Sequence, residues 1–418
     1  MTQRHWGALL AAACAVGGPL GCGSGDDANS EADAAGTDTE TDVGADGGGD
    51  GGDTDTGDDR ITLVVAAADW SGTGGGVYAV DPETYEVTDL GVATGTDAVV
   101  RCQGENAFVL DRYFPTPPDA TENRLVHLAG PDLAVQGELA LGLYANLHGA
   151  VMYGTHVYVT AFGSGMLDRV DTTTEPYGLA ETIDLTAFAA GKDDDGNPDP
   201  GPVAIAGDRL FVGLGHEKEY KATPFATIAV YDPVNGSLVD MDDGLNGVQG
   251  IEVEGTHIFD NALVVRGARL LFNASGDSSW AGGYDDGAID AVDLASGQDL
   301  GPLVTETEAS GNIFSWTFVA DDRLWAVVNR PDTGDGASDA LVDIDLAADP
   351  PSVTVVHEAA ADSLWHLAAT PGGDKVFLAD RTADAETLRV FDTASRSPIT
   401  EIELPAPANS QCFVGQAI

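Results

Sequence analysis

Basic residues are scarce in this chain. Lysine and arginine together number 18 against 69 aspartates and glutamates, giving a formal net charge of −51 over 418 residues. A surface of that sign repels phosphate backbones and anionic headgroups, which argues against nucleic acid and against peripheral membrane binding. Cysteine and methionine occur four times each, and aromatic residues make up only 7%. No apolar run approaches the roughly 20 residues that a membrane-crossing helix needs. The acidity is compatible with solubility, metal cations or cationic ligands.

What is present begins with Met1 to Gly21, which carries Arg4, an apolar run from Gly7 to Val16, and Leu20-Gly21-Cys22 at its end. This is the pattern of a secretory signal. Cys22, followed by Gly23-Ser24-Gly25, resembles a bacterial lipobox, although Pro19 stands where that pattern usually has leucine. The resemblance implies that Cys22 is lipidated and anchors an outer-membrane lipoprotein of the cell envelope, periplasmic or surface-exposed. Ordinary cleaved secretion is the alternative. From residue 22 to residue 59 the chain is almost wholly Gly, Ser, Asp, Glu, Ala, Thr and Asn, with 13 acids and no base. Such a segment has nothing to bury and is expected to be a disordered, self-repelling tether.

Residues 60–418 are then the folded part, and Pro202 to Met241 shows how they are built. Val203, Ile205, Leu210, Val212, Ile228 and Val230 alternate with small or polar neighbours. Gly207-Asp208, a polar loop and Pro233-Val234-Asn235-Gly236 divide the runs. The pattern is one four-stranded antiparallel sheet. Such a sheet has two apolar faces, so it is stable only between copies of itself. The copies are present. A strand ending in Asp and a turn recurs at Asp81, Asp171, Asp232, Asp293, Asp345 and Asp392, with Ala129 in the Asp position of a seventh copy. Each Asp is expected to accept hydrogen bonds from the backbone of its turn rather than to take part in catalysis. A second motif precedes it, apolar around one aromatic: ENAFVLD, THVYVTA, DRLFVGL, ARLLFNA, DRLWAVV and DKVFLAD.

The second motif occurs six times and the first seven, and the chain ends explain the difference. Ile61 to Ala68 reads as the second strand of a blade, while Gln411 to Ile418 is a lone strand. Pairing them closes an all-β, seven-bladed β-propeller: 61–91 with 410–418, then 96–141, 147–186, 202–242, 259–305, 311–357 and 363–404. With THVYVT at Thr155 to Thr160, residues 60–418 resemble the YVTN family of β-propeller repeats, found in extracytoplasmic bacterial proteins. The spacing is more variable here than in the strict repeat. The resemblance implies a binding role and brings no catalytic residues.

Once Cys14 and Cys22 are assigned to the signal and lipobox, Cys102 and Cys412 remain. Both fall on innermost strands of blades that adjoin only through ring closure, so an oxidising compartment would favour a disulfide. Cys412 reads as early in its strand and Cys102 as late, which leaves free thiols as the alternative. The residues that open each innermost strand line the mouth of the central channel. Alignment of the blades puts Asp97, Asn146, His148, Asn261, Asn312, Ser315, His366 and Gln411 there, a polar, amide-rich set without Lys or Arg. One acidic loop also offers hard oxygen ligands for Ca2+: Asp193, Asp195, Asn197 and Asp199, without the distant Glu of an EF-hand. A solvated loop is the plainer alternative.

Two functions from different classes follow. The first is a tethered, monomeric binding or scaffold module for an unknown protein, glycan or small molecule, with no certain cofactor and no catalytic constellation. The second is a Ca2+-dependent lactone or ester hydrolase working in the channel, for which Glu, Asn and Asp would have to gather on one ion. The anchor is directly testable. Cys22→Ser should move the protein from the membrane pellet to the soluble fraction, because the lipid is the one anchor the sequence offers. A variant that still pellets after its signal is cleaved would refute lipidation at Cys22.

Overall fold

The computed structural model describes residues 61–69, 74–112, 123–142, 145–193, 195–218, 221–222, 226–253, 258–276, 286–330, 337–361, 363–382 and 387–415. The signal segment, Cys22 and the tether lie outside the described residues. Strands dominate the described residues, which include one short α-helix, Glu306–Ala309. No helix among the described residues is long and apolar enough to cross a membrane.

The strands form seven sheets of blade type, and in blades 2 to 7 the first strand in sequence is innermost. In blades 2 to 7 the first two strands are Ala98–Gln103 and Asn106–Asp111, Leu147–Tyr153 and His156–Ala161, Pro200–Ala206 and Arg209–Leu214, Ile258–Arg266 and Arg269–Ala274, Asn312–Ala320 and Arg323–Arg330, and Leu364–Ala369 and Lys375–Asp380. The innermost strands touch one another in cyclic order, which makes the array a closed ring. In blade 4 the outermost position is shared, because Ser237–Leu238 and Ile251–Val253 pair with opposite halves of Ala226–Asp232.

Blade 1 takes its innermost strand, Ala408–Val414, from the far end of the chain. It pairs antiparallel with Thr62–Asp69, bringing Thr62 opposite Val414 and Val65 opposite Gln411. This is the closure expected from the sequence. The strand is longer than expected, starting at Ala408 rather than Gln411. Cys412 is therefore late in its strand, as Cys102 is in its own, because three unforeseen residues precede Gln411. The two cysteines form a disulfide with Cα atoms 5.7 Å apart, across 310 residues of sequence. A crosslink closing so long a loop contributes about 2–4 kcal/mol by restricting the unfolded chain.

Packing follows from the sandwiching of each sheet. The second strands are apolar on both faces because both faces are covered. Ala107 and Val109 pack toward blade 1, and Phe108 and Leu110 toward blade 3. Seven such cores fill the seven seams. The motif aromatics Phe108, Tyr158, Phe211, Phe272, Trp325 and Phe377 are all buried. Phe272 points to the preceding blade, unlike the others, because it sits one residue later in its strand and that step reverses its face. The turn aspartates do as their spacing predicts. Asp81 Oδ1 accepts from the backbone N–H of Glu83 and Thr84, Asp232 Oδ1 from Val234 and Asn235, and Asp293 Oδ1 from Ala295 and Ser296. Asp171, Asp345 and Asp392 each cap their turns in the same way.

Side chains bond across six of the seams near the channel. Ser410 Oγ donates to Val100 O at 3.0 Å, Gln103 Nε2 to Met152 O at 3.1 Å, and Thr160 Oγ1 to Gly201 O at 2.6 Å. Asn273 Nδ2 donates to Ile313 O at 2.7 Å, Ser315 Oγ accepts from Leu367 N at 3.4 Å, and Gln411 Nε2 donates to Phe377 O at 2.6 Å.

A chain ending at Asn409 loses most of the ladder to Thr62–Asp69, the disulfide, and the buried side chains Phe413 and Val414. Burial of those two is worth about 1.5–3 kcal/mol each, against a total stability of about 5–15 kcal/mol. The truncated protein should aggregate or unfold at a clearly lower urea concentration than the full chain. Equal midpoints would refute closure by this strand.

Candidate functional site

Antiparallel pairing puts the start of each innermost strand and the end of each second strand at the same end of the ring, the channel mouth. At this end the innermost strands are irregular. In blade 3, Leu147 pairs with Ala161 and Ala150 with Val159, so His148 and Gly149 face one residue. Blade 7 repeats this at Trp365 and His366, and blade 4 at Gly201 and Pro202. Phe314 in blade 6 and Asn409 in blade 1 are single extra residues. These are β-bulges, which re-aim side chains at the rims of closed sheets. Gly149 is required by the crowding they produce, since a Cβ there would lie 2.8 Å from Gly201 O.

Two arginines reach the mouth, contrary to the Lys- and Arg-free lining expected from the sequence. Arg112 directly follows the second strand of blade 2. Its Nη2 donates to Asp97 Oδ1 at 2.8 Å, and its Nη1 lies 3.4 Å from His148 Nε2. The His148 ring stacks on Phe162, with centroids 4.4 Å apart and planes 17° from parallel. Arg381 follows the second strand of blade 7. Its Nε donates to Ala408 O at 3.2 Å, its Nη2 to Asn409 Oδ1, and its backbone N–H to Ser363 O. The guanidinium lies 4.8 Å from the centre of the Trp365 ring, which in turn lies 4.7 Å from that of Phe314. Burial lowers the pKa of Arg381 to about 10, opposed by the charge of Asp97. Arg330, the last residue of the second strand of blade 6 and one step further from its motif aromatic than Arg112 and Arg381 are from theirs, pairs with Glu358 of the outermost strand at 2.8 Å.

The other expected mouth residues divide. Asp97, Asn146, His148 and His366 are at the mouth, and Asn146 adopts a positive φ of 46° as its carbonyl accepts from Phe162 N. Asn312 is buried opposite Asn329. Ser315 and Gln411 are not lining residues, because their side chains serve the seams. The side chain of Asn261 lies outside the described residues. Sequence reasoning missed Arg112, Arg381, Trp365, Phe314 and Asn409. One signal was available for the arginines: the second strands of blades 2 and 7 both end in Asp-Arg, as FVLDR and FLADR.

The acidic loop before blade 4 lies beside this mouth, with Asn197 Nδ2 donating to Phe162 O at 2.9 Å. Its oxygens face its own backbone. Asp193 Oδ1 accepts from Asp195 N, Asp195 Oδ1 from Asn197 N, and Asn197 Oδ1 from Asp199 N. Asp199 accepts from Asn197 Nδ2 at 2.8 Å and from Glu217 N at 2.7 Å. No three His, Cys, Asp or Glu among the described residues converge as metal ligands. Among the described residues Asp193, Asp195, Asn197 and Asp199 are therefore not gathered as the Ca2+ ligands expected of them; at least one side-chain oxygen of each accepts a hydrogen bond within the loop.

Burial, then the charges of Glu217, Asp195 and Asp193, push Asp199 up to about 8, while its hydrogen bond from Glu217 N opposes the rise. Burial and Asp193 push Glu217 up to about 7. A carboxyl with a raised folded pKa lends stability below its ordinary range and loses it as pH rises through the folded value. Glu217→Gln should therefore flatten the decline in melting temperature between about pH 5 and about pH 8, leaving the variant about 2 °C ahead at the upper end. Parallel curves from differential scanning fluorimetry would mean that Glu217 is not desolvated.

No family model matches the sequence, and no curated protein matches it. Solved structures do. The periplasmic gluconolactonase of Pseudomonas aeruginosa is 14% identical with a TM-score of 0.59, covering 85% of this chain and 99% of its own. A putative 6-phosphogluconolactonase of Bacteroides fragilis is 13% identical with a TM-score of 0.58, covering 87% and 100%. The hydrazine synthase of Kuenenia stuttgartiensis is 12% identical with a TM-score of 0.53, covering 75% and 88%. Likeness at such identities shows a shared fold, the β-propeller, and no more.

Proposed function

We propose that this chain is an extracytoplasmic β-propeller of the YVTN type, a monomer anchored to the outer membrane through Cys22, that binds a small ligand at its channel mouth. One observation carries the proposal: the bulges turn Asn409, His148, Phe314, Trp365 and His366 toward the end of the ring where Arg112 and Arg381 are buried. Ordinary strands would serve the ring as well, and buried guanidinium groups cost desolvation. Convergent polar groups beside aromatic walls are the composition of a small-molecule site.

A second role at the same mouth, hydrolysis of a lactone or ester, is favoured by the names of the two lactonases above and by His148 lying within reach of Arg112. It would have to proceed without the acidic loop as a Ca2+ site.

Thermal-shift screening of the purified protein against sugars, lactones, amines and carboxylates should find at least one class that stabilises it, by RT ln(1 + [L]/Kd). Trp365→Ala should abolish that shift. Lactone turnover, followed by acid release, separates the two functions: hydrolysis lost in His148→Asn would favour the enzyme. Stabilisation that persists in both variants would refute the mouth as the site.

A further inference from the structure

We propose that a groove at the end of the ring opposite the mouth, between blades 4 and 5, binds a small zwitterion, an amino acid with an aliphatic side chain. Arg209 receives its carboxylate, and Asp208 and Asp232 attract its ammonium group.

Strand alternation sets the place of Arg209. It begins the second strand of blade 4 two residues before Phe211, so both side chains leave the same face, toward blade 5. Arg323 stands two residues before Trp325 and Lys375 two before Phe377, each on the face toward the following blade. In those seams a turn of the following blade takes hold of the cation. Lys375 Nζ donates to Pro82 O at 3.1 Å and to Glu83 Oε1 at 2.7 Å, and these two residues directly follow the turn aspartate Asp81. Arg323 Nη2 donates to Thr393 O at 3.0 Å, directly after Asp392, and its Nε to Asp343 Oδ1 at 2.7 Å. Blade 5 offers Leu294 and Ala295 after Asp293, and Val230 stands in blade 4 where Asp343 stands in blade 6. Among the described residues Arg209 accordingly has no hydrogen bond and no ion pair.

Where the tie is missing, the seam stays open. A groove of about 360 Å3 remains, walled by Ala206, Phe211, Leu294 and Ala295 and edged by Asp208, Arg209 and Asp232. Arg209 is half-buried and Ala295 exposed, so the groove is open to solvent. Asp208 Oδ1 accepts from Tyr153 Oη at 2.8 Å, which holds that carboxylate at the rim. The pKa of Asp232 is lowered, first by the Asn235 backbone N–H and least by the charge of Arg209, so unlike charges share the groove. One cation and two carboxylates suit a ligand that carries both signs. A plain anion would meet two like charges and the field of a chain with net charge −51. A guanidinium fork matches a carboxylate in two parallel hydrogen bonds, and the apolar wall takes an aliphatic side chain.

Isothermal titration of the purified full chain with L-leucine, L-leucinamide and N-acetyl-L-leucine tests this, because the second lacks the carboxylate and the third the ammonium group. Leucine should bind at least about tenfold more tightly than either. Arg209→Gln should weaken leucine about tenfold and leave leucinamide unchanged. Ala295→Glu places at an exposed position the carboxylate that Glu83 gives to Lys375, and it should abolish leucine binding even if Arg209→Gln does not fold. Trp365→Ala, at the mouth, should leave leucine binding intact; its loss there would put leucine in the channel and overturn the groove. Leucinamide binding as tightly as leucine would leave Arg209 without a role, and N-acetyl-leucine binding as tightly would replace the zwitterion with a plain carboxylate; either result overturns the proposal. So would failure of leucine to bind at millimolar concentration.

Discussion

An innermost strand in a radial array pairs on one side only. Its other edge faces the channel, where a row of backbone N–H and C=O groups would otherwise depend on water or stand unpaired. The cross-seam hydrogen bonds answer this constraint. Five of the six join a polar side chain on a first or second strand to the backbone of the next blade, as Thr160 does at Gly201 and Asn273 at Ile313, and Gln411 of blade 1 reaches back to Phe377 of blade 7. Each contributes about 1 kcal/mol net, but leaving its partner buried and unpaired would cost about 1–3 kcal/mol. The apolar seams hold the blades together, and these bonds fix their height relative to one another.

That fixed height allows the mouth to be irregular. A bulge breaks the ladder locally and costs hydrogen bonds, so it persists only where the neighbouring strands are held firmly. His148 and Gly149 show the coupling. The same Thr160 hydroxyl that reaches Gly201 also accepts from Gly149 N at 2.7 Å, so one side chain both ties a seam and satisfies a bulge. Seam and mouth are one hydrogen-bond system.

The ring, the blade order and the closure were legible in the sequence because they rest on local rules. Asp232 caps its turn for reasons contained within four residues, and Phe108 is buried because every second strand is covered twice. The site was less legible, since its features depend on register. Gln411 and Ser315 were read as lining residues because they begin an apolar strand, yet each lies past an unforeseen bulge or strand start and faces a neighbour instead. Trp365 and Phe314 look like core residues in the sequence, and the bulges expose them. Charge composition misled in the opposite direction. A net charge of −51 describes the surface average and says nothing about where the few arginines go. The loop from Asp193 to Asp199 has ligand-type side chains at close spacing, but spacing alone does not tell whether carboxylates point outward or into their own turns.

The shared blade has a consequence for biogenesis. Thr62–Asp69 is among the first folded segments to leave the ribosome, and the strand that covers its open edge is among the last. Throughout synthesis the nascent chain therefore carries an unsatisfied strand, a template for pairing with another copy. The longest-range contacts must form last, which makes assembly slow relative to the individual hairpins. The Cys102–Cys412 bond joins the two sides of the gap only after they meet. Thiol oxidation thus acts as a final ratchet, converting a reversible encounter of the chain ends into a ring that reopens only by reduction.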